Sequence, residues 1–196
     1  MIRKWLLRLI ALGVVGAVVG LGAFWIITIP ETVPASALAA HVPNLDNGKT
    51  MFNAGGCASF HASPQQKDRT LLGGGFALHS PFGTFYAPNI SSHARDGIGG
   101  WTEAEFVTAM WKGTSPQGSH EFPAFPYASY RNMKLEDVRD VFAYLKTLPA
   151  VQGKARDHDL PFPFNVRRNV GVWKFLFLHD PLWAPDASKS AQWNRG

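Results

Sequence analysis

Cysteine is almost missing from this chain: Cys57 is the single one in 196 residues. One thiol excludes an intramolecular disulfide framework and any structural zinc site built on paired cysteines. Charge is also scarce, at 17% of residues against 46% hydrophobic, a balance that suits a packed core and not wholesale disorder. No basic run lies in the body of the sequence. Of the 19 Lys and Arg, three (Arg3, Lys4 and Arg8) crowd the N-terminus, so the remainder nearly balances the 14 Asp and Glu. That balance excludes a nucleic-acid footprint. No internal repeat is present, and no convincing strand pattern appears from Gly73 to Gly100. Glycine and proline, 19 and 14 residues, predict long irregular segments between short helices.

The first apolar run is long. Leu9 to Ile29 carries no charged residue, and as a helix it measures roughly 31 Å, close to the hydrocarbon thickness of a bilayer. The apolar stretch of a cleavable signal peptide is usually shorter, about 7–15 residues. Ala35, Ala37, Ala39 and Ala40 offer small residues to a peptidase, but the length favours an uncleaved anchor. Either way the positive-inside rule holds Arg3, Lys4 and Arg8 in the cytoplasm and sends the remainder across the membrane. Trp25 suits the interfacial belt at the far end. Pro30 to Pro43, PETVPASALAAHVP, has no apolar periodicity and reads as a tether.

Helical pattern begins near Leu45 and returns in two clearer segments. Trp101–Gly113 opens with Thr102 three residues before Glu105, the spacing of a capping box, and closes on Gly113. Its apolar residues Phe106, Val107, Met110 and Trp111 fall at helical spacing. Leu135–Pro149 has acids in its first turn, Lys146 in its last and a proline stop. A stripe of Leu135, Val138, Val141, Phe142 and Leu145 gives it one apolar face. The unpatterned Gly73–Gly100 stretch is long enough to carry function or wrap a ligand.

The chemistry centres on GGCASFHASP, Gly55 to Pro64. Cys57 and His61 are four apart, so a helix places them on one face. Three readings compete: a buried cysteine with an unrelated histidine; a Cys–His nucleophilic pair; and attachment of a c-type haem, whose signature C-x-x-C-H supplies two thiols and an iron-ligating imidazole. In the third, Phe60 occupies the second thiol position, one base change from a Cys codon.

The rest of the chain bears on that choice. NGKTMFNAGGCASFH, PFGTFYAPNISSHARDGIGGWTEAEFVTAMWKG and FPAFPYASYRNMKLEDVRDVFAYLKTLPAV together resemble the membrane-anchored multihaem cytochromes c, the electron-accepting subunits of bacterial periplasmic dehydrogenases for alcohols, sugars and sugar acids. The resemblance runs from about Asn47 to Gly196. It implies an all-α cytochrome c-like domain, residues 44–150, after an anchor at 1–30 and a linker at 31–43. It further implies one-electron transfer without substrate turnover, from a dehydrogenase toward a quinone or terminal oxidase.

Site residues follow from the same resemblance. His61 matches the proximal iron ligand and Cys57 the thioether donor, so the cofactor is a haem c held by one thioether. Met133, directly before the last helix of the domain, matches the distal ligand, with Met110 the competitor whose place in an apolar stripe argues for packing. Pro88 is the expected carbonyl partner of the His61 ring N–H. Tyr86, Asn89 and Trp101 are expected pocket neighbours, one of them bonding a propionate. Residues 151–196, ending AQWNRG, resemble the linker that leads into another haem domain. Standing alone, that segment is expected to leave Trp173, Phe175, Leu176 and Phe177 as an apolar patch. A reading of another class remains beside this one: a haem-deficient remnant acting as a membrane-tethered interaction module.

Overall fold

A computed structural model describes residues 2–178 and 184–195, so His179–Trp183 within the C-terminal segment, and Gly196, fall outside it. The first element, α1 (Ile2–Ile27), is long and apolar enough to cross a membrane, and its side chains stand exposed along almost its whole length. Among the described residues six further α-helices follow: α2 (Leu45–Ala54), α3 (Cys57–His61), α4 (Glu103–Lys112), α5 (Tyr127–Tyr130), α6 (Leu135–Thr147) and α7 (Asn169–Phe177). The protein is mostly helical, as expected, with one departure. The Gly73–Gly100 stretch contains a hairpin, β1 (Ala77–Ser80) paired antiparallel with β2 (Gly83–Tyr86), Ala77 opposite Tyr86. Thr84 extends the pairing to Asp159, each backbone N–H donating to the other's carbonyl at 2.8 and 2.9 Å, so a segment far along the chain holds the hairpin down.

Three helices make the core. Asn44 caps α2 by accepting from Asn47 N, and α2 crosses α6 so closely that a Cβ on Gly48 would stand 2.2 Å from the Asp140 carbonyl oxygen. Helix α4 carries both halves of its expected capping box: Thr102 accepts from Glu105 N, and the Glu105 carboxylate accepts from Thr102 N. It packs on α6 through stacked rings of Phe106 and Phe142, centroids 4.7 Å apart. Phe52, Leu72, Val107, Met110, Val138, Val141 and Leu145 complete this core. Each large side chain buried there contributes about 1.5–3 kcal/mol relative to exposure.

The segment expected to be a free tether is instead laid along the domain. Val33 N donates to Thr108 Oγ1 at 2.9 Å, Glu31 pairs with Lys112 Nζ at 2.7 Å, Arg139 Nη1 donates to the Ala39 carbonyl at 2.8 Å, and His41 Nε2 meets Asp140 Oδ1 at 2.7 Å. The apolar patch expected after residue 150 is present in part. Phe175, Leu176 and Phe177 are exposed, whereas Trp173 is half-buried with its ring edge-on to Tyr127.

Candidate functional site

Helix α3 is one turn and a half long, launched by Gly56 in the left-handed region at φ +66°. Its five residues put Cys57 and His61 on one face, as their spacing predicts. Both are half-buried. The His61 ring is fixed from the far side of the molecule: its Nδ1 lies 2.9 Å from the Pro88 carbonyl oxygen. A carbonyl only accepts, so the proton sits on Nδ1 and the Nε2 lone pair is left for an electrophile or metal. Burial holds the imidazole below its ordinary pKa, more strongly than the Pro88 carbonyl raises it, and keeps the ring neutral at neutral pH.

Backbone pairing aims the Pro88 carbonyl. Ile90 N donates to Leu72 O at 3.0 Å, Gly75 N to Ala87 O at 2.9 Å, and Ala87 N to Phe76 O at 2.9 Å, while Gly74 N reaches back to His61 O at 2.9 Å. Gly74 adopts φ +73°, and a Cβ there would lie 2.4 Å from Ala87 O and 2.5 Å from the Pro88 carbonyl carbon. Only a residue without a side chain lets the 87–88 backbone close on α3. Nothing in a run of three glycines marks Gly74 as the essential one.

The two sulfur atoms differ in environment. Burial pushes the Cys57 thiol up to about 11, so it is protonated at neutral pH and lacks the thiolate that a nucleophilic Cys–His pair requires. Met133 sits between α5 and α6, half-buried against the core, with its N–H donating to Tyr130 O at 2.9 Å. Met110 is part of the core between helices, as its stripe predicts. Tyr130, which sequence reasoning passed over, joins the two sides: its hydroxyl donates to Gly55 O at 3.0 Å, tying the Met133 loop to the turn before Cys57. Burial and the neighbouring Cys57 push its phenol up to about 12, so it stays a donor.

The remaining expected neighbours divide. Trp101 packs against the main core, and the Tyr86 ring carries the Arg156 guanidinium at 4.6 Å. Asn89 is the third of these neighbours. It is buried, and its amide donates to Val151 O at 2.7 Å and Gly153 O at 2.8 Å while its Oδ1 accepts from Ser91 N. Both of its N–H groups are spent on the 151–153 loop. Phe60, in the second thiol position, is 46% exposed and meets the Phe76 ring edge-on at 5.7 Å.

Among the described residues no cluster of three or more His, Cys, Asp or Glu could hold a free metal ion. The donors present are an oriented neutral imidazole, a half-buried thioether and one thiol. They fit an iron that arrives already held in a macrocycle.

Known proteins resemble this chain over the same helical domain. The cytochrome c family profile matches residues 45–149, from the first residue of α2 to just past α6. The chain is 40% identical to a diheme cytochrome c-type protein of Cereibacter sphaeroides, covering 91% of this chain and 60% of the relative. It is 34% identical to the fructose dehydrogenase cytochrome subunit of Gluconobacter japonicus over 85% of this chain and 34% of the relative. It is 30% identical to the gluconate 2-dehydrogenase cytochrome c subunit of Pantoea cypripedii over 76% of this chain and 34% of the relative. In each case the chain spans less than two thirds of the relative's length. A match that begins and ends with the crossed pair α2 and α6, and encloses the imidazole held ready by Pro88, makes this chain a member of the cytochrome c family.

Proposed function

We propose that the chain is an electron-transfer subunit whose exported domain carries a c-type haem on Cys57, His61 and Met133. The observation that carries this reading is the His61 ring, neutral, oriented by Pro88 and presenting Nε2 one helical turn from the lone thiol. When bound, the haem supplies a one-electron iron couple. His61 would ligate its iron, with the Pro88 carbonyl making the imidazole more basic. Met133 would be the second protein ligand and would favour the reduced state relative to a second nitrogen ligand, which suits a carrier downstream of an oxidising enzyme. Cys57 contributes the one thioether. Phe60 stands where the second thiol would, its ring edge-on to Phe76.

The relatives' names point to the donor: several are cytochrome subunits of dehydrogenases acting on alcohols, fructose or gluconate. Substrate oxidation then belongs to a partner subunit on the periplasmic side, and this chain passes electrons toward a quinone or terminal oxidase in the same membrane. Phe60 also favours a second reading, a haem-poor interaction module. Bulk in place of a thiol costs about 1–3 kcal/mol of packing at a covalent edge and removes one anchor. One experiment separates the two. The purified membrane protein should show a covalent haem adduct by intact mass, and a pyridine haemochrome between the positions of b-type and c-type haems, because one vinyl remains conjugated. Phe60→Cys should move that spectrum to the c-type position and raise occupancy. Absence of any adduct in both proteins would establish the haem-poor reading.

A further inference from the structure

Helix α7 ends in three exposed apolar residues, Phe175, Leu176 and Phe177, and its position says what covers them. Phe175 is 53% exposed and Phe177 65%. The helix sequence, NVGVWKFLF, has Lys174 as its only charge, with Arg167 and Arg168 just before it. Its buried side docks on the very end of α1. A Cβ on Gly171 would stand 2.8 Å from Thr28 Cα, so the two backbones touch there. Thr28 is fully buried, one residue past the last turn of the apolar helix. Its carbonyl faces His120 Nε2 at 2.9 Å and its hydroxyl accepts from Arg168 Nε at 2.8 Å. Arg168 also donates to Trp25 O at 2.8 Å and lies over the Trp25 ring at 4.0 Å.

From Gly171 the helix repeat carries the same side onward to Phe175 and Leu178, and these two share the wall of one cavity with Ile27 and Ile29. The ends of α1 and α7 therefore meet, and the same cavity is also lined by Glu31, Lys112, His120, Arg131 and Lys174. Where α1 crosses a bilayer, its last turn and Trp25 lie at the boundary between hydrocarbon and headgroups. We propose that α7 lies in that same boundary layer as a second membrane contact, with Phe175, Leu176 and Phe177 among the acyl chains. Arg167, Arg168 and Lys174 already bond protein groups, namely the Glu121 carboxylate, Thr28 with Trp25, and the Lys112 and Gly113 carbonyls, so the apolar side chains carry this contact. The inference rests on α1 as a membrane span and is independent of whether haem is bound.

The test uses the full chain in vesicles of phosphatidylcholine with a minor fraction of phosphatidylglycerol. A photoreactive p-benzoylphenylalanine replaces, one at a time, Phe175, Phe177, Val15 within α1, and Phe82 at the tip of the hairpin. Illumination followed by intact mass counts lipid adducts. Positions 175 and 177 should label lipid at a level near that of position 15 and at least fivefold above position 82. Labelling at 175 and 177 no higher than at 82, or cross-links from them to protein in place of lipid, overturns the proposal. Failure at position 15 overturns it as well, and it alone removes the membrane span while leaving the haem reading intact.

Discussion

Asp140, inside α6, accepts from the His41 ring of the preceding strap at 2.7 Å, across 99 residues of chain. The same carboxylate accepts from Asn44 N at 2.8 Å and Asn47 Nδ2 at 2.7 Å. One buried carboxylate thus joins the strap, the start of α2 and the middle of α6. Burial alone would raise its pKa, but these hydrogen bonds outweigh burial and hold it below the usual aspartate value. A carboxyl with a depressed folded pKa stabilises the fold fully above about pH 4, and that contribution is lost as pH falls through the folded value. Asp140→Ala should cost about 3 kcal/mol, because three donors lose a charged acceptor. Thermal denaturation followed by circular dichroism at pH 7 and pH 3 checks both parts: the deficit of the variant should shrink at the lower pH.

Gly74→Ala should displace the Pro88 carbonyl from His61, since the added carbon has no space between α3 and residues 87–88 and the backbone there is left-handed. A loss of roughly 1–3 kcal/mol is expected from the conformational strain alone. The diagnostic readout is nitrogen NMR of the histidine ring. In the parent protein the Nδ1 proton should exchange slowly, and in the variant it should exchange fast with no single tautomer favoured.

Met133 and Met110 can be told apart in the haem-loaded protein. Met133→Ala should abolish the weak red charge-transfer band of a thioether–iron(III) bond and lower the reduction potential, with little loss of fold stability. Met110→Ala should keep the band and destabilise the domain by about 2–5 kcal/mol, the cost of truncating a buried methionine. Loss of the band only in the Met110 variant would exchange the two roles.

Arg168→Ala should loosen α1 from the domain without unfolding it. The substitution removes two hydrogen bonds and a ring contact at Trp25 and Thr28, leaving His120 as the remaining holder of the Thr28 carbonyl. Hydrogen exchange of amides in residues 25–33 should accelerate roughly tenfold or more, while α2 and α6 keep the parent rates.

How far the sequence could be read depended on where each segment's partners lie. The ends of α4 and α6 were legible because their determinants are local: the Thr102–Glu105 box, the terminal Gly113, the stop at Pro149. The helix joining Cys57 to His61 followed from spacing, and the hydrogen bond from His61 to Pro88 from resemblance. The hairpin was missed because four-residue strands with His79 and Thr84 among them show no clean alternation, and part of their support comes from Asp159. The strap was misread for the same reason: its partners, Thr108, Arg139 and Asp140, are about 75 to 100 residues away. Asn89 was placed near the cofactor by its neighbours in the motif, and no local signal shows that its amide is spent on the 151–153 loop.

The bonded strap changes what the domain can reach. A free linker of that length would let a tethered domain wander over about 20 Å, sampling partners by its own swinging. Here Glu31, Val33, Ala39 and His41 are held to the domain and Thr28 is buried against it, so where α1 crosses a bilayer the domain's height above it is set by contacts and not by chain length. Electron exchange then becomes a search in two dimensions. A partner must drift laterally to the one face the domain offers, and inserting extra residues into the strap would widen nothing unless those contacts broke first.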